Sequence, residues 1–173
     1  MRRRLKGRVW KFGDGISTDH IISARYLGTT DPKVFADHAM ENVDPEFSKK
    51  VKPGDMIVAG HNFGCGSSRE QAPLALKSLG ISAIVAESFA RIFFRNSINI
   101  GLPAVECKGI SEAVSEGEVI EVDLADGYLA TAGGRQLKIS SFPPRVLEIL
   151  QAGGLIPKLR AEFQAASGSR TKD

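Results

Sequence analysis

Cysteine is scarce in this chain, with Cys65 and Cys107 the only two in 173 residues. Two distant thiols cannot build a disulfide framework, and alone they cannot supply the four ligands of a structural zinc site. A reducing cytoplasm is the expected setting. Long apolar runs are also missing: none approaches the roughly 20 residues that a membrane span needs. The opening MRRRLKGR has arginines but no apolar core behind them, so it does not read as a secretory signal. Nor is there a basic stripe interleaved with aromatics. The formal charge is a mild +3, and much of the surplus sits in MRRRLKGR and SGSRTKD at the two ends. That pattern reads as solvated ends and argues against an extended nucleic-acid face.

Familiar catalytic loops are absent too. Residues 60–73 read GHNFGCGSSREQAP, a glycine-rich stretch between an apolar run and a helical pattern. No Gly-Lys-Ser/Thr follows it, so it is not a nucleotide P-loop. Gly64-Cys65-Gly66 lacks the third glycine of a dinucleotide fingerprint, and Glu87 only loosely matches that motif's acid. Gly-x-Ser-x-Gly, the hydrolase elbow, does not occur in it.

What the stretch does have is the arrangement of an anion site. Free amides and the dipole at a helix N-terminus attract negative charge. Glycines allow close backbone approach, and Arg69 adds a planar fork suited to carboxylate or phosphate. A second reading stands beside this one. Ser67 with Glu70, or Ser68 with Gln71, fits a helix capping box. Pro73 interrupts both registers, because it has no N–H to give an early helical turn. Spacing alone identifies no reaction.

Hydrophobic content of 42% and charged content of 25% fit an ordinary globular domain. We expect one domain over residues 1–160 and a fraying tail over 161–173. GRVWKFG (7–13) predicts a strand, and GDGISTDHIIS (13–23) a polar loop. Asp31-Pro32 predicts a capped helix over PKVFADHAM, and Asp44-Pro45 a shorter one. MIVAG, ISAIVAES and LPAVEC read as buried strands. The helices between them are REQAPLALKSLG, stopped at Gly80, and FARIFFRNSINIG, with Ser88 as a candidate cap. That alternation implies parallel pairing with right-handed crossovers. EVIEVDLADGYLATAGGRQLKI then reads as three strands joined by Asp126-Gly127 and Gly133-Gly134 turns, with a closing helix over 143–150. The fold class is α/β, a mixed sheet with parallel units and C-terminal hairpins.

Three stretches together carry a resemblance: STDHIISARYL, GHNFGCGSSREQAPLALKSLGISAIVAESFARIFFRNSINIGLPAVE, and the closing hairpins. They resemble the small subunits of isopropylmalate isomerases, the separate-chain form of the swivelling domain of the aconitase superfamily. The resemblance covers about Gly7 to Pro157. It implies a β/β/α swivelling domain and a hydro-lyase that dehydrates and rehydrates 2-hydroxy dicarboxylic acids, here in leucine biosynthesis. It further implies a large-subunit partner, as heterodimer or heterotetramer, that holds a four-iron four-sulfur cluster; this chain would hold no metal and be inactive alone. Ser67 then looks like the general base, and Ser68 and Arg69 like carboxylate ligands, with Gly66 beside them. Asp19 resembles the acid that would orient a histidine of the large subunit.

By the same resemblance, residues 24–32 (ARYLGTTDP) would face the variable substituent of the substrate. Leu27 and Gly28 suit an apolar group such as isopropyl, and Gly28 stands where an arginine would bind an extra carboxylate. Arg25, close by, keeps homoaconitase-type substrates open, as the apolar loop does 2,3-dimethylmalate. A carboxylate- or phosphate-binding module without catalysis is the non-enzyme alternative. His20 is a further candidate, ahead of His61 and His38. Cys65 and Cys107 read as packing residues, Arg91 and Arg95 as packing and surface charge with a pairing to Glu87 open, and Asn96 as a weak candidate for loop support.

Overall fold

The computed structural model describes residues 4–168. Arg4–Lys11 form strand β1, Met56–Ala59 β2, Ala83–Ala86 β3 and Ala104–Glu106 β4. Val119–Asp123, Tyr128–Thr131 and Gln136–Lys138 form β5, β6 and β7. All seven join one sheet in the order β4-β3-β2-β1-β5-β6-β7. β1 runs parallel to β2, with Val9 opposite Met56, and antiparallel to β5, with Arg4 opposite Asp123. One half of the sheet is therefore parallel and the other a meander of hairpins, as expected.

Every residue of β2 and β3 is buried, as apolar strands covered on both faces must be. Side chains alternate across a strand, so the sheet divides the core in two. Trp10, Ile57, Ile84 and Ala86 face one cluster, with Phe35, Phe47, Leu76 and Phe93. Val9, Met56, Val58 and Val85 face the other, with Ile120, Leu129 and Leu150.

The helices are Thr18–Ile21 (α1), Pro32–Asp37 (α2), Phe47–Lys50 (α3), Gln71–Leu79 (α4), Arg91–Asn99 (α5), Ile110–Ala113 (α6), Pro144–Gln151 (α7) and Leu155–Gly168 (α8). Asp31 caps α2 by accepting from Lys33 N at 2.9 Å, and Gly80 ends α4 in the left-handed region, both as the sequence predicts. α2 stops short of its expected end because the chain reverses through Met40, at φ 62°. The short α1 lies where a loop was expected, and α6 went unanticipated. The segment expected to fray from 161 is helical through Gly168, and residues 161–167 are exposed; 169–173 lie outside the described residues. No helix among the described residues is long and apolar enough to cross a membrane.

Candidate active site

β1, β2 and β3 run in one direction, so their carboxyl ends share an edge of the sheet. Open α/β sheets place ligands at that edge. The glycine loop leaves β2 there, between the loops that leave β1 and β3. On one side, Gly60 N donates to Gly13 O at 3.1 Å, Gly15 N to His61 O at 2.8 Å, Gly64 N to Ile16 O at 2.7 Å and Thr18 N to Cys65 O at 2.8 Å. On the other, Phe63 N donates to Ser88 O at 3.0 Å and Ala90 N to Phe63 O at 2.9 Å.

Ser88 does not cap α5, which begins at Arg91 behind an uncapped Ala90. Its hydroxyl accepts from Asn62 N at 2.9 Å and so holds the glycine loop. Gly64 is required for the same packing. Its φ is 80°, and a Cβ there would stand 2.1 Å from Phe93 Cγ. Loop and helix α5 therefore press together without a side chain between them.

The capping boxes proposed for Ser67 and Ser68 do not form. α4 starts at Gln71 with Glu70 before it, and no side chain caps it. Pro73 explains the late start, since further inside the helix it would break a backbone hydrogen bond and clash with the preceding turn. Both serines are left exposed. Neither hydroxyl has a hydrogen-bond partner among the described residues. Thr18 Oγ1 donates to the Ser67 carbonyl at 2.9 Å and fixes the backbone beneath them.

Arg69 is mostly buried, with 13% of its side chain exposed, and pairs with the carboxylate of Asp19. Its guanidinium also donates to Ile22 O at 3.1 Å. The fold thus joins two predicted site residues, Asp19 and Arg69, that the sequence reading had not linked. Asp19 keeps 59% of its side chain exposed and so remains open to a further partner. Asn42 Nδ2 secures its backbone, donating to Asp19 O at 2.8 Å.

A cleft of about 610 Å³ opens here, with Thr18, Gly66, Ser67, Ser68 and Arg69 on one wall; Asp19 stands behind Arg69 and does not line it. Arg91, Arg95 and Asn96 of α5 line the other. The two arginines carry more of the cleft than the sequence reading gave them. Neither forms an ion pair among the described residues. Glu87 is not their partner, because it accepts from Gly109 N and Ser111 N, each at 2.9 Å. Burial alone would raise the Glu87 carboxyl, but those backbone donors outweigh it and hold it below its ordinary value. Their i, i+4 spacing puts them on one helical side, as the sequence shows, but it does not show that this side faces the glycine loop.

Leu27 and Gly28 do not line the cleft; Leu27 packs, half-buried, on the first core cluster, and Gly28 is exposed. His20 closes a capping box on α1: His20 N donates to Ser17 Oγ at 3.2 Å, and Ser17 N to His20 Nδ1 at 3.0 Å. His61 contributes its backbone, donating to Asp14 Oδ1 at 2.6 Å. His38 stacks on Tyr26, with ring centroids 4.0 Å apart. Cys65 packs against Gly15 O at 3.6 Å. Cys107 is buried in the second core cluster, and burial pushes its thiol up to about 11. The two thiols sit in different surroundings. Among the described residues no three His, Cys, Asp or Glu side chains are grouped to hold a metal.

The arrangement offers two free hydroxyls and three guanidinium groups, one already neutralised, around an open cleft. It suits the binding and orientation of an anionic ligand. Residues 12–109 match the aconitase C-terminal domain. The chain is 58% identical to the isopropylmalate/citramalate isomerase small subunit of Methanocaldococcus jannaschii, over 94% of this chain and 98% of that one. It is 54% identical to the 3-isopropylmalate dehydratase small subunit of Halothermothrix orenii, over 94% and 99%. Among solved structures, a 3-isopropylmalate dehydratase from M. jannaschii superposes with a TM-score of 0.90 at 45% identity, covering 96% of this chain and 99% of that one. The overall fold is thus shared with a solved relative, and the chain belongs to the 3-isopropylmalate dehydratase small-subunit family, built on the aconitase C-terminal domain.

Proposed function

We propose that this chain is the small subunit of a hydro-lyase interconverting 2-isopropylmalate and 3-isopropylmalate in leucine biosynthesis, working with a separate large subunit in the reducing cytoplasm. One observation carries the residue assignment: Ser67 and Ser68 present free hydroxyls to a cationic cleft and cap no helix. A module that merely binds anions, with serines serving as caps, loses its main support.

The family's Lewis acid, a four-iron four-sulfur cluster, does not fit this chain's own donors, since Cys107 is core and Cys65 stands without further ligands. We assign it to the large subunit. What this chain supplies is proton and carboxylate handling. Ser67 Oγ takes the proton from the carbon next to a substrate carboxylate while the hydroxyl leaves the neighbouring carbon, so that water is lost overall. Rehydration places a proton from Ser67 on the carbon that lost the hydroxyl and a hydroxyl from water on the carbon that lost the proton. A serine is a poor base in water, and the cations around it must favour its anion. Arg69, Arg91 and Arg95 supply that field, and closure by the partner lowers the dielectric in which it acts. Ser68 and Arg69 hold a carboxylate of the substrate. Asp19, paired with Arg69, keeps that guanidinium in place and presents its exposed edge to the partner's side.

The test is anaerobic reconstitution with the cluster-loaded large subunit. Isopropylmalate, citraconate, dimethylmalate and cis-homoaconitate are offered side by side. Preference for isopropylmalate, abolished in Ser67→Ala with the subunits still associated, supports the assignment. Turnover that survives Ser67→Ala removes Ser67 as the base.

A further inference from the structure

Arg25 lies three residues beyond Ile22, whose carbonyl accepts from Arg69. Three residues of extended chain span at most about 10 Å, so Arg25 is tethered close to the cationic loop. It is nevertheless not among the groups that line the cleft. Its guanidinium donates to Glu41 Oε1 at 2.6 Å and lies over the Tyr26 ring, 4.8 Å from the centroid.

Glu41 gathers more than Arg25. Tyr26 Oη donates to its Oε2 at 3.3 Å, and His38 Nδ1 stands 2.7 Å from the same oxygen. His38 in turn lies flat on Tyr26, with 14° between the rings. Burial alone would raise the Glu41 carboxyl, but hydrogen bonds from Arg25, His38 and Tyr26 outweigh it and hold it below its ordinary value.

The backbone at this point is strained. Met40 is fully buried and sits at φ 62°, a region that bulky residues rarely enter. Its N–H donates to Ile21 O at 2.8 Å, and Asn42 donates to Asp19 O at 2.8 Å. Three successive residues, Met40, Glu41 and Asn42, therefore grip α1 and the turn after it.

We propose that Glu41 is a specificity-determining positioning residue, which ties Arg25 back so that the cleft favours a 2-hydroxy acid with an apolar substituent over one with a further carboxylate. The inference rests on the hydro-lyase reading above. A carboxylate without a partner is costly in a closed site. A released Arg25 would meet it with a planar fork, and that difference sets the preference.

The test uses the reconstituted complex with isopropylmalate and with cis-homoaconitate, the substrate bearing the further carboxylate. Wild type, Glu41→Gln, Arg25→Ala and the double variant are compared. In Glu41→Gln the ratio of kcat/KM for cis-homoaconitate to that for isopropylmalate rises about tenfold, mainly through a lower KM for cis-homoaconitate. In the double variant the ratio returns to the wild-type value. A ratio within about twofold of wild type in Glu41→Gln, or a rise that survives Arg25→Ala, overturns the proposal. Amide exchange in the free chain gives a second readout that needs no turnover. The amides of residues 26–29 exchange faster in Glu41→Gln while those of α4 do not change; unchanged exchange at 26–29 overturns the tether. A wild-type complex inactive on every substrate sinks the hydro-lyase reading and this proposal with it. An active complex whose preference ignores Glu41 sinks only the proposal.

Discussion

The rim of the parallel half and the hairpin half treat polar groups in opposite ways. In the hairpin half they are consumed internally. Asp123, with 3% of its side chain exposed, accepts from Arg4 Nε at 2.7 Å, Asp126 N at 2.8 Å and Ala125 N at 3.0 Å. Glu118 accepts from Ser115 N at 3.0 Å and Ala132 N at 3.2 Å. At the cleft rim the backbone is satisfied strand to loop to strand, yet Ser67, Ser68, Arg91 and Arg95 are left with capacity to spare. The difference separates scaffold from site: a group satisfied inside the fold contributes stability, and a group held in place but unsatisfied awaits a ligand.

Substitutions in the two regions should therefore fail in different ways. The largest effect belongs to Ser67→Ala. Turnover of the complex is expected to fall about 10³-fold or more, with the thermal midpoint unchanged because no cap is lost. A midpoint drop matching a lost cap would return Ser67 to the structural role. Gly64→Ala comes next. It puts a Cβ into Phe93 and a side chain at φ 80°, and about 3 kcal/mol or more of stability should be lost in denaturant titration. A near-neutral result would show that loop and helix α5 can part.

Asp123→Ala should cost about 2 kcal/mol and leave kcat unaltered. Its pH dependence sharpens the contrast. Burial would raise the Asp123 carboxyl, but the donors named above hold it lower than in the unfolded chain. Its stabilising contribution is therefore complete above the unfolded value of about 4 and disappears as pH falls through the folded value. Asp123→Asn should flatten the acid limb of the stability curve, and an unchanged limb would contradict the assignment. The smallest effect is chemical. At pH 8, iodoacetamide should label Cys65 on the rim, while Cys107, with a thiol pushed up to about 11, reacts only on unfolding. Mass spectrometry of the native and denatured chain reads both.

Much of this arrangement was legible in the sequence, for identifiable reasons. MIVA and AIVA announce themselves as apolar strands buried on both faces, and Asp31-Pro32 and Gly80 punctuate helices by local chemistry. The glycine loop was found because three glycines, two serines and an arginine seldom gather without a purpose. Missed features depend on distant partners. Nothing near Arg69 announces Asp19, because the pair forms only when α1 is laid beside the loop by Thr18 N and Cys65 O. Ser88 resembles a cap until the loop claims its hydroxyl. Ser17-x-x-His20 escaped notice because a histidine in place of Glu or Gln disguises the capping box.

The central position of β1 also has a kinetic consequence. Arg4 and Asp123, its paired ends, are separated by 119 residues. During synthesis β1 can find β2 once about fifty further residues have emerged, but the antiparallel side stays open until β5 exists. The parallel half, cleft included, can thus assemble around a strand whose other edge is still bare. Proteins rich in such distant pairings fold slowly, and the bare edge is an invitation to neighbouring chains. The charges that stud β1 beside its apolar residues, Arg4, Lys6, Arg8 and Lys11, are well placed to discourage such strangers during that wait.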